Sequence, residues 1–150
     1  MIKEKEITCD KTIMYLQMIQ STIDRMSTSS AIFKGFAATI VAGVSAISFS
    51  DTNKWVLLLS FVPVLCFLIL DVYYLQLERR FRFLFDRVRI GKKEVDFDLN
   101  PPKIKLILKL DKNANVRLCD CIKSPSIIWF YIPMISICTI VIILNFGGWI

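Results

Sequence analysis

Histidine is absent from the 150 residues, glycine and proline number only five each, and three long stretches hold almost no charge. Without an imidazole there is no Ser-His-Asp or Cys-His catalysis, no usual zinc ligand set and no nuclease with a histidine base. The five glycines form no G-x-x-x-x-G-K pattern, so a phosphate-cradling loop is missing too. No secretory signal reads at the start: the first thirty residues mix Lys3, Lys5, Lys11 and Arg25 with Glu4, Glu6, Asp10 and Asp24, and no apolar core precedes residue 31. The five cysteines are an odd set, with Cys119 and Cys121 in a C-x-C that has no second pair to complete a metal site. They read as reduced cysteines packing as small apolar residues. No catalytic residue, cofactor or metal is expected.

The missing charge is the most informative absence. Between Ala31 and Ser50 only Lys34 is charged, between Trp55 and Leu77 only Asp71, and from Ser126 to Ile150 nothing. A helix of about 20 apolar residues, rising 1.5 Å each, covers the ~30 Å of a hydrocarbon layer. All three stretches are that long. The expected fold is therefore an all-α integral membrane protein, a single membrane domain over residues 1–150. Its three transmembrane helices lie at 31–50, 55–77 and 126–146, with cytoplasmic amphipathic helical extensions. Asp51-Thr52-Asn53-Lys54 is a turn short enough to force an antiparallel hairpin, and Trp129, Tyr131 and Trp149 suit the two headgroup belts.

What charge there is lies mostly in one place. Residues 78–124 carry 13 Lys/Arg against 7 Asp/Glu, which accounts for the net +6 of the chain. Basic residues beside a span favour the cytoplasmic side, so the N-terminus and this segment are expected inside and the C-terminus outside. Residues 8–30 read as an amphipathic helix with its stripe at Ile13, Leu16, Ile19, Ile23 and Met26, and with no proline before the first span. From Glu78 to Arg89 the helix of the second span continues outward until Gly91 stops it. Phe81, Leu84, Phe85 and Val88 line one face of this extension, a coupling face that needs a partner, and the 8–30 helix is the nearest one. Lys103–Leu110 alternates only in part, which leaves a strand and a short interfacial helix both open.

Two residue sets stand out as candidate sites. Asp71 lies about one to two turns inside its span, at the same depth as Lys34 on the antiparallel neighbour. It reads as half of a membrane-edge charge pair with Lys34, as a proton or ion relay, or as a pore-lining charge, and a relay usually needs a series of such groups where here there is one. The second set is the row of Gly35, Thr39 and Gly43, with Ala38, Ala42 and Ala46 beside it. Small residues at this spacing let helices approach closely in lipid, within one chain or between copies. Three spans cannot enclose a water path alone, so a pore requires a homo-oligomer. Thr39, Ser45 and Ser48 would be its polar lining. The arginines of 79–89, interleaved with phenylalanine, fit anionic headgroups better than nucleic acid.

These residues also carry a likeness to a known group. Tyr15-Leu16-Gln17-Met18-Ile19, Arg25-Met26 and Phe33-Lys34-Gly35 lead into the first span. Leu70-Asp71-Val72-Tyr73-Tyr74-Leu75, Glu78-Arg79 and Phe81 to Arg89 lead out of the second. Over residues 13–90 the chain resembles the SLATT type of small bacterial transmembrane proteins, encoded beside anti-phage systems. Val72, Phe85 and the third span depart from the pattern of that group. The resemblance implies a non-enzymatic effector of antiviral defence that permeabilises or depolarises the inner membrane when triggered. The rival expectation is a membrane anchor or scaffold that recruits a cytoplasmic defence protein partner without forming a pore.

Overall fold

The computed structural model describes residues 2–47 and 61–146. The expected turn at 51–54 and the positions Ser48 and Trp149 lie outside them. Among the described residues there are five helices and no strand: α1 (Ile2–Ile47), α2 (Phe61–Arg89), α3 (Ile104–Leu110), α4 (Leu118–Ile122) and α5 (Pro125–Phe146). Three of them are long and apolar enough to cross a membrane, over Asp10–Ala46, Phe61–Arg89 and Pro125–Leu144.

The amphipathic stretch and the first apolar stretch are one helix. Nothing in Ile2–Ile47 breaks it, since it holds no proline and its two glycines stand singly. At 1.5 Å per residue its 46 residues run roughly 69 Å, about twice what a hydrocarbon layer needs. α2 is likewise continuous from its apolar half into its basic half. It ends where the main chain turns left-handed at Gly91 (φ 69°). There Lys92 N donates to Arg87 O at 2.9 Å and Gly91 N to Val88 O at 3.0 Å, the paired bonds that close a helix C-terminus around glycine.

Packing divides along the length of α1 and α2. In the basic half, Tyr15, Ile19, Ile23 and Met26 of α1 are buried against Phe81, Leu84 and Val88 of α2, with Phe85 partly buried beside them. The coupling face and the 8–30 helix thus form a two-helix stalk. One expected member of the stripe is wrong: Ile13 is 49% exposed and Tyr15, fully buried, takes its place. The phenol buries its ring, and its hydroxyl donates to the main-chain oxygen of Asp98. In the apolar half, Ala37 and Val41 of α1 and Val64 and Val72 of α2 share a core with Ile127, Tyr131, Met134 and Cys138 of α5 and with Cys121 of α4. The α5 positions follow spacings of four, three and four, one helix face turned inward.

The segment between α2 and α5 is strapped to the stalk by side chains of α2. Gln76 Nε2 donates to Val116 O (3.0 Å), Arg79 to Asn115 O (2.6 Å), and Arg80 to Pro101 O and Pro102 O (3.1 Å each). Pro101 and Pro102 lie outside any helix, and the one guanidinium fork of Arg80 satisfies both of their carbonyls. Lys103–Leu110, open between strand and helix on its alternation, contains the helix α3, which buries Ile107 completely. No strand among the described residues offers an edge for the alternative to pair with.

Candidate functional site

The chemistry concentrates where the two cores meet. Asp71 of α2 is fully buried. Lys34 of α1 reaches it from the neighbouring helix, Nζ to Oδ2 at 2.6 Å, and donates to Ser30 Oγ at 2.8 Å. Ser30, one turn earlier, donates in turn to Asp71 Oδ1. The third helix contributes Tyr131, 2% exposed, whose hydroxyl faces the Asp71 carboxyl without a well-aligned hydrogen bond. Phe33 lies against Tyr74 and Phe67 beside the cluster (ring centroids 5.2 and 6.2 Å), so apolar side chains line this side of it.

A carboxylate with no exposed surface is tolerated because an ammonium and a hydroxyl hold its two oxygens. The arrangement neutralises one charge and pins α1 to α2, with α5 against the same carboxyl. Lys34 and Asp71 were legible from matched depth and opposite sign. Ser30 carries no signal of its own beside a charge-poor stretch, and Tyr131, expected in a headgroup belt, is buried in the core instead, where its ring packs against α1 and α2. The i, i+4 spacing of Ser30 and Lys34 is the signal that could have joined them.

The small-residue row behaves differently. Gly35, Thr39 and Gly43 are exposed and Ser45 half-buried, and a methyl group built on either glycine would meet nothing within 4 Å. The row does not serve packing against α2, which uses Ala37 and Val41 on the opposite side. Thr39 returns its hydroxyl to Gly35 O at 2.9 Å, hiding its polarity along its own helix. Beside this row a groove of about 520 Å³ opens between Ala38, Ala42 and Ser45 of α1 and Trp129, Pro133 and Ile137 of α5.

The arginines of 79–89 do not form one free basic face. Arg79 and Arg80 are spent on main-chain oxygens, Arg82 pairs with Glu78 (2.7 Å) and Arg89 with Asp86 (3.1 Å). Beyond them a cavity of about 400 Å³ lies between Phe83 and Leu84 of α2 and Leu106 and Leu110 of α3, with Arg87, Lys92 and Lys93 among its lining residues. Of the C-x-C pair, Cys121 is buried and Cys119 exposed, and among the described residues no cluster of metal-ligating side chains occurs. No family model, curated protein or solved structure matches the chain.

Proposed function

We propose that the chain is a non-enzymatic membrane effector, a homo-oligomer in the bacterial inner membrane that permeabilises or depolarises it when triggered. The N-terminus and the stalk would be cytoplasmic and the C-terminus outside, following the placement of the 13 basic residues. One observation carries the reading. Gln17, Ser21, Asp24, Thr28, Ala31, Gly35, Ala38, Ala42 and Ser45 of α1 recur at alternating steps of four and three, and all but the half-buried Ser45 are exposed. Alternating steps of that kind define a single seam along a helix.

The exposed faces of the other two apolar helices are built oppositely. α2 presents Val62, Leu65, Ile69 and Leu70, and α5 presents Trp129, Ile132, Ile137, Ile140 and Ile143. Bulky side chains suit lipid, while small ones suit the close approach of another helix. The seam of α1 is therefore the face turned toward other copies. Its outer stretch is polar, so in water it makes a poor dry core and a good lining for a water-filled axis. Its inner stretch has only Ser45 and the neighbouring Thr39 as polar groups, which fits a path that is closed at rest. Triggering would act on the stalk, whose helix α1 continues into that seam without a break.

The anchor reading keeps one specific support, the cavity at Phe83, Leu106 and Leu110 with Arg87, Lys92 and Lys93 among the residues around it, which would seat an acidic and apolar segment of a cytoplasmic partner. Membrane potential separates the two. A voltage-sensitive dye should report depolarisation on expression, with or without phage challenge, and a Phe81→Ser/Phe85→Ser variant should abolish it or make it constitutive. If neither protein ever depolarises cells, the effector reading gives way to the anchor.

A further inference from the structure

The Asp71 cluster holds more oxygen than its one ammonium uses. Ser30 Oγ, the Asp71 carboxylate and Tyr131 Oη converge from α1, α2 and α5, and the last of these has no well-aligned partner although it is 2% exposed. The donors are fixed by the packing of three helices, while Lys34 is held there by a flexible stem and keeps 17% of its side chain exposed. The ammonium thus has a way out that needs no main-chain movement. Ser30 would stay in place, because only the Lys34 side chain has to swing.

We propose that Ser30, Asp71 and Tyr131 form a binding site for a monovalent alkali cation, filled by the Lys34 ammonium in the present conformation and by Na⁺ or K⁺ when Lys34 swings out. A buried carboxylate cannot be left bare, so whatever removes the ammonium must supply another positive charge or a proton. The donor set favours a metal cation: it is all oxygen, with no nitrogen or sulfur, the preference of hard ions. It favours a single charge, because one carboxylate neutralises one and a divalent ion would leave a buried excess. The phenol oxygen facing the carboxyl is a ready further ligand, which the ammonium does not use. The site stands apart from the pore reading and would exist in a monomeric anchor as well. In an effector it would let the Lys34 contact open without stranding a charge between the helices.

The test uses full-length protein in detergent at constant ionic strength, in NaCl, KCl or N-methylglucamine chloride. Lys34→Met keeps the apolar stem and removes the ammonium. Wild type should unfold at the same temperature in all three salts. Lys34→Met should unfold several degrees higher in NaCl or KCl than in the bulky organic salt, with a saturable dependence on the alkali ion. Adding Asp71→Asn should erase that gain, and adding Tyr131→Phe should reduce it. Equal midpoints in the three salts would overturn the proposal, as would a rescue obtained by acid alone, which would mean that Asp71 takes a proton instead. Lys34→Ala, which leaves more room, is the second variant. If neither can be recovered folded in NaCl or KCl, the oxygens do not hold a cation and the proposal fails.

Discussion

Asp71 is the residue on which the apolar half depends, because it is charged, fully buried and touched from both neighbouring helices. Removing one member of such a pair strands the other, at a cost of about 3–5 kcal/mol when both are buried. The partial exposure of Lys34 puts the loss near the lower end. Asp71→Asn and Lys34→Met should each lower the thermal midpoint in N-methylglucamine chloride, and the double variant should lose much less than the two single losses added. Additive losses would show that the contact carries no coupling. The cysteine pair gives a second test at this scale. Burial pushes the Cys121 thiol up, the nearby Arg79 guanidinium offsets this only in part, and Cys119 is exposed. The thiolate is the reactive form, so a raised thiol reacts only as pH rises. The tryptic peptide Leu118–Lys123 from native protein should carry one alkyl group after brief iodoacetamide treatment near neutral pH, and two after denaturation. Two groups on the native protein would mean that α4 does not pack against the core.

The stalk is the element most exposed to single substitutions, because only two helices share its core. Its buried face amounts to Tyr15, Ile19, Ile23 and Met26 against Phe81, Leu84 and Val88. Leu84, 2% exposed, has few neighbours that could close over a cavity, so Leu84→Ala should cost about 2–5 kcal/mol. The loss should be local: protease should cut within residues 8–30 sooner, while the apolar helices stay resistant. The far end of the stalk is closed by a loop with its own strain. Phe97 adopts a left-handed main chain (φ 54°), and its ring stands edge-on to Tyr15 at 5.6 Å. Aspartates flank it as turn formers, Asp96 Oδ1 accepting from Asp98 N (3.1 Å) and Asp98 Oδ1 from Asn100 N (3.0 Å). Lys93 pairs with Asp96 at 3.2 Å and donates to the Tyr15 hydroxyl at 3.5 Å. The loop is held to α1 from both of its ends.

For the molecule as a whole, the consequence lies in what the three helices leave uncovered. Gly35 and Gly43 have open space around them, so Gly35→Leu and Gly43→Leu have no steric reason to disturb the chain's own fold. If other copies pack on that face, the added bulk should shrink the particle measured in detergent while its helix content and thermal midpoint hold. An unchanged particle size in both variants would assign the face to lipid. The result is clean because the internal packing of α1 uses Ala37 and Val41, on the other side of the helix.

What the sequence determines by itself is whatever depends on runs and periods. Three charge-poor stretches, a basic segment between the second and third, and the stripe from Phe81 to Val88 can be counted residue by residue, and they lead to three long apolar helices and a buried stalk face. Lys34 and Asp71 could be matched because depth in antiparallel helices follows from residue number. The tertiary structure decided everything that depends on which side of a helix meets which neighbour. A small residue such as Gly35 reads the same whether it packs inside the chain or faces outward, and only the position of α2 shows that it faces outward. Arg79 and Arg80 look like free charge until the return segment brings main-chain oxygens to them. Ser30 and Tyr131 are 101 positions apart, and no period links them. They join Asp71 only because α5 packs against α1 and α2, and a contact between distant segments leaves no spacing in the chain to be read.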